Sequence, residues 1–193
     1  LLVLIHVFCF KVAGQSIQGS FENKFKRYQQ NESFQGTQTQ VWDAVAWKGD
    51  RIHKQILVWS DVNIDGLNYE VSDLVKGTHR ITASHVKLRF GQYIKGDPEA
   101  RGCSAYPTHP TFIEIIDALT DVPATSLTPA DPLKLWVTID VPSTAIVGVY
   151  EGTITVNGNG TPLVFELSVT VADFTLPEVA NWDFHLDLWQ FPT

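Results

Sequence analysis

The sequence predicts an all-β chain folded as a β-sandwich of immunoglobulin or jelly-roll type. Three observations carry this expectation. Apolar and polar residues alternate with period two over several runs, as where Val86, Leu88 and Phe90 interleave with Lys87 and Arg89. Glycine, proline, asparagine and aspartate punctuate those runs at short intervals. Asn157-Gly158-Asn159-Gly160 separates two long alternating runs, and Asn-Gly steps tolerate the positive φ that a tight hairpin requires.

Taken in order, residues 1–10 are a short apolar run, LLVLIHVFCF, followed by Lys11 and the small residues Val12-Ala13-Gly14. This is the hydrophobic region and cleavage-site pattern of a secretory signal peptide, so residues 1–14 are read as an incomplete one and the protein as secreted or periplasmic. No methionine occurs and the basic leader is missing, which places the first residue inside the signal. The run is shorter than the ~20 residues of a membrane-crossing helix, and no transmembrane segment is expected. Cys9 leaves with the signal and Cys103 is the other cysteine, so the mature chain is expected to rely on packing rather than a disulfide.

Residues 15–39 are read as a lead-in and residues 40–176 as the sandwich. Val41-Trp42-Asp43-Ala44-Val45-Ala46-Trp47 and the run from Ile52 to Trp59 flank the turn Lys48-Gly49-Asp50, which predicts a hairpin. Further strands are expected over residues 68–74, 81–93 and 133–141, followed by the closing hairpin around Asn157-Gly158-Asn159-Gly160. Residues 112–119 lack a clean period of two and lie between prolines, which leaves strand, helical turn and buried loop open. Residues 96–110, rich in glycine and proline, are a candidate loop facing a neighbouring domain. After the linker Leu176-Pro177-Glu178-Val179-Ala180, residues 181–193 begin a new alternating run whose partner strands are absent, as expected of a chain cut just inside a second domain.

Several function classes fall away on composition and spacing. The net charge is -7 and the longest basic cluster is Lys24-Phe25-Lys26-Arg27, so no nucleic-acid partner is expected. Asp61-Val62-Asn63-Ile64-Asp65-Gly66 opens like a calcium loop, but the closing glutamate is missing and strands rather than helices flank it; no metal is expected. His79, His85 and His109 lack ligand spacing and no Gly-x-Ser-x-Gly elbow occurs, so neither a hydrolytic triad nor a cofactor is expected.

Trp47-Lys48-Gly49-Asp50-Arg51, Val71-Ser72-Asp73-Leu74, Leu135-Trp136-Val137-Thr138-Ile139-Asp140-Val141-Pro142, Gly148-Val149-Tyr150-Glu151-Gly152-Thr153 and Phe184-His185-Leu186-Asp187-Leu188-Trp189-Gln190-Phe191-Pro192 occur in that order. Together they resemble the N-terminal region of the glycoside hydrolase family 123-like proteins, over most of the mature chain. The resemblance implies a secreted enzyme in which a β-sandwich precedes a catalytic (β/α)8 barrel, and characterised members release N-acetylgalactosamine by a substrate-assisted retaining mechanism. It places the catalytic Asp-Glu pair in the barrel, so no residue of this chain is expected to be catalytic. It also makes residues 177–193 a linker and the first strand of a truncated barrel, with His185, Asp187 and Trp189 as candidate substrate-binding residues. The partners it implies are the chain's own C-terminal catalytic barrel and a glycan. The alternative is a free-standing carbohydrate-binding module using Trp42, Trp47 and Trp59, although Trp42 and Trp47, five apart on one strand, should face opposite sides.

Overall fold

The structure, a computed structural model, describes residues 17–96, 112–129, 131–158 and 160–182. Thirteen strands are described: β1 (Gln18–Glu22), β2 (Val41–Lys48), β3 (Arg51–Trp59), β4 (Ile64–Asp65), β5 (Asn68–Val71), β6 (Leu74–Lys76), β7 (His79–Ile81), β8 (Val86–Gly96), β9 (Ile113–Thr120), β10 (Ser126–Leu127), β11 (Leu133–Asp140), β12 (Gly148–Asn157) and β13 (Leu163–Thr175). Two sheets face each other. One has the order β1-β3-β11-β8-β9; the other has the order β2-β13-β12-β6-β7, with β5 also paired to β12. The fold is the β-sandwich that the alternation predicts.

The core lies between the sheets. Leu133, Leu135, Val137 and Ile139 of β11 face Phe165, Leu167, Val169 and Val171 of β13, all buried. Each such side chain contributes roughly 1.5–3 kcal/mol by leaving water. Trp136, Thr138 and Asp140 take the intervening positions on β11 and point out of the sandwich, as period two demands.

The closing hairpin forms where expected, with β12 and β13 in register from Gly148↔Val171 to Val156↔Leu163. The first expected hairpin does not. Lys48-Gly49-Asp50 carries the chain from β2 in one sheet to β3 in the other, so these neighbours in sequence never pair. β2 runs parallel to β13 instead. Gly49 has φ 80°, and its N–H donates to Val141 O (3.0 Å) while Val141 N–H returns a bond to Asp50 O (2.8 Å), which ties the corner to the end of β11. A turn of this composition serves a corner between sheets as readily as a hairpin.

The segment read as a lead-in supplies a strand: β1 pairs antiparallel with β3, and Phe21 enters the core between Trp42 and Phe165. Beyond it, residues 23–39 form a strap across the outer face of the first sheet. Tyr28 packs there with Leu57 and Ile116, and Phe34 stacks on Trp59 at 4.5 Å and 8°. Gln55 Nε2 donates to Asn23 O and Lys26 O and fixes the strap's beginning. The strap explains why Ile56, Leu57 and Val58 are buried in succession: this stretch of β3 is covered on both faces. Residues 113–120, undecided by sequence, are strand β9; Ile115 and Ile116 are both buried, which erases the alternation.

Candidate interdomain face

The outer face of the six-stranded sheet changes character along its length. Toward the start of β2 and β13 it is mixed, with Val41 and Val164 exposed among polar residues, and Asp43, Glu151, Glu166 and Ser168 line a shallow trough of about 500 Å³. Toward their ends it is apolar. Register places Val45 beside Thr170 and Thr170 beside Val149, in one row across β2, β13 and β12, with Trp47 beside Ala172 in the next position along β2 and β13. Val45 is 69% exposed, Trp47 45% and Val149 47%.

A local irregularity completes this surface. Pairing of β13 with β2 slips between Ala172 and Thr175, and Phe174, 51% exposed, meets Trp47 edge-on at 4.9 Å and 62°. The same bulge brings Asp173 against Lys48, Oδ1 to Nζ 2.8 Å. The hydrogen bond and charge of Lys48 hold the Asp173 carboxyl below the usual carboxylate range. Leu176 N–H then donates to Lys48 O (2.9 Å), so the chain leaves β13 alongside this apolar end. A 3₁₀ turn over Val179–Asn181 follows, and Trp182 Nε1 donates to Pro177 O at 3.0 Å.

On a sheet with one wet face, alternation predicts polar residues at Val45, Trp47 and Val149. Apolar side chains there leave a contiguous exposed patch, the kind of surface a protein covers with another domain or partner. Val45 and Val149 carried a readable signal as apolar residues at outward positions; Phe174 carried none, because the bulge that redirects it is invisible in the pattern.

The residues singled out from sequence are distributed differently. His185, Asp187 and Trp189 lie outside the described residues, as does the body of the 96–110 loop beyond Gly96. The three tryptophans of the binding-module alternative do not share a face. Trp42 is 8% exposed inside the core, Trp47 is on the outer face of the six-stranded sheet, and Trp59 lies beneath the strap on the opposite sheet. Asp65 of the calcium-like stretch sits in β4, paired with Ser126 of β10. Among the described residues no three His, Cys, Asp or Glu side chains are grouped to share an ion, and no helix is long and apolar enough to cross a membrane.

A protein-family model described as the glycoside hydrolase 123 N-terminal domain matches residues 19–158. The chain belongs to this family. The match begins within β1, in keeping with the place of that strand in the sandwich. Among solved structures, a family 123 glycoside hydrolase from Clostridium perfringens, described in terms of glycolipid glycan hydrolysis, superposes with a TM-score of 0.73 at 18% identity. The alignment covers 84% of this chain and 28% of that one, so this glycoside hydrolase 123 N-terminal domain spans little more than a quarter of the length of that enzyme. AvmM, described as catalysing macrocyclization in alchivemycin A biosynthesis, superposes with a TM-score of 0.41 at 7% identity over 85% of this chain and 93% of that one, too low to carry an argument. No curated protein matches the sequence.

Proposed function

We propose that this chain is the non-catalytic N-terminal β-sandwich of an exported glycoside hydrolase acting on N-acetylhexosamine-containing glycans. On this reading the catalytic (β/α)8 barrel starts within residues 177–193 and rests on the apolar end formed by Val45, Trp47, Val149 and Phe174. The observation that carries the reading is that β13 delivers the chain beside that patch, so a domain attached there covers it at little loop-closure cost. Family membership supports it, because the matching enzyme is far longer than this chain. The apolar leader over residues 1–14 supports export. His185, Asp187 and Trp189 are then proposed to lie at the start of the barrel and contact substrate.

The test is enzymatic. The purified chain should show no turnover of an aryl N-acetylgalactosaminide, whereas the protein expressed from its complete coding sequence should release the aglycone. Turnover by the chain alone, or a complete coding sequence without a barrel, overturns the reading.

A further inference from the structure

The outer face of the five-stranded sheet is divided between two environments. The strap covers one end, over Leu57 and Trp59. At the other end three strands present their outward side chains as a lattice: Arg51 opposite Asp140, His53 opposite Thr138 opposite Lys87, and Trp136 opposite Arg89, with Gln55, the partner of Trp136 on β3, buried under the strap's beginning. Arg51, His53, Lys87, Arg89, Trp136, Thr138 and Asp140 enclose a trough of about 310 Å³.

Its polar groups are held in place without being consumed. Arg51 Nε donates to Asp140, which remains partly exposed. Lys87 and Arg89 share Asp121 at 3.4 and 3.2 Å, so one exposed carboxylate serves two cations. His53 Nδ1 is 3.0 Å from Thr138 Oγ1, and its ring centroid is 5.7 Å from that of Trp136. Lys134 Nζ stands 5.6 Å from the indole centroid.

Trp136 is the residue that an ordinary solvated sheet face does not account for. A large, partly buried aromatic ring occupies the middle of a lattice whose other members are polar, while the core on the far side of β11 is filled by Leu135, Val137 and Ile139. An apolar plate ringed by fixed donors and acceptors matches a pyranose, which offers a C–H face for an indole and hydroxyls around its edge. Exposed surface ion pairs contribute little to stability, so this lattice is poorly explained as a stabilising device.

We propose that this trough is a sugar-binding site, in which one pyranose unit of a glycan rests against Trp136 while Asp140, Arg89 and the His53–Thr138 pair bond its hydroxyls. The site is on the opposite sheet from the interdomain face and serves to hold a polymeric or surface-borne glycan near the enzyme.

The experiment is a titration of the ¹⁵N-labelled chain with lactose and with N,N′-diacetylchitobiose, following the indole N–H signals. The expected result is a saturable shift of the Trp136 indole with at least one sugar. Trp136→Ala should lower the affinity about tenfold, the scale of one lost aromatic stack. Arg89→Gln should weaken binding too, each variant being checked for an unchanged urea midpoint. No saturable shift with either sugar, or binding indifferent to both substitutions in folded protein, overturns the proposal. Either outcome leaves the barrel-packing reading intact, since that reading concerns the other sheet.

Discussion

His53 shows how one side chain reports on its neighbourhood. Partial burial comes first, then the positive charges of Lys24, Arg51 and Arg89; all lower its pKa below the usual 6.5, against a weaker opposing pull from Asp140. The unfolded chain therefore takes up the proton at a pH where the folded chain still refuses it. Stability contributed by neutral His53 is complete above pH 6.5 and is lost as pH falls from 6.5 toward the depressed folded-state value. Urea midpoints measured at about pH 7.5 and about 5.5 should fall more in the native protein than in His53→Gln. An equal fall in both would contradict this placement. Gly91 makes a second residue-scale test. A Cβ there would collide with Ile116 and stand 2.9 Å from Lys134 Cβ, so Gly91→Ala should cost about 1–3 kcal/mol, read from chemical denaturation. Nothing near Gly91 in the sequence announces this, because Ile116 and Lys134 are brought to it by β9 and β11.

Among the elements, those set by local chemistry were readable and those set by distant partners were not. The β12–β13 hairpin follows from Asn-Gly turn residues between alternating runs, information held within the segment itself. Which sheet β2 joins is decided by β13, more than a hundred residues away in sequence, and the turn before β3 gives no sign of it. β9 was obscured because burial of both Ile115 and Ile116 removes the period on which recognition of a strand depends. β1 lies in the stretch whose pattern reads as a lead-in, yet Phe21 is 3% exposed with its ring 5.3 Å from that of Phe165. Phe21→Ala should cost about 3–5 kcal/mol, measured as a loss in unfolding free energy. A cost near zero would return residues 15–39 to the status of a detachable lead-in.

At the scale of the whole molecule, the two outer faces differ in character. One is half strapped and half polar lattice; the other carries carboxylates among exposed valines at one end and is apolar where β13 releases the chain. The family was readable from motifs such as Trp136-Val137-Thr138-Ile139-Asp140-Val141-Pro142, which belong to the architecture of the sandwich, and the match over residues 19–158 bears it out. The apolar patch was readable only in part, since it depends on a bulge and on side chains from three strands brought into register. Replacing Trp47 and Phe174 by serine should cost the chain's own stability about 1–2 kcal/mol each, because each ring is only half buried. The same pair of changes should reduce self-association of the isolated chain in sedimentation velocity, where the patch would otherwise lie open to solvent. The most direct test of the account is hydroxyl-radical footprinting of Trp47 and Phe174, in the isolated chain and in the protein expressed from its complete coding sequence. Both residues should be oxidised readily in the first and protected in the second; equal oxidation in the two would show that no domain rests on this face.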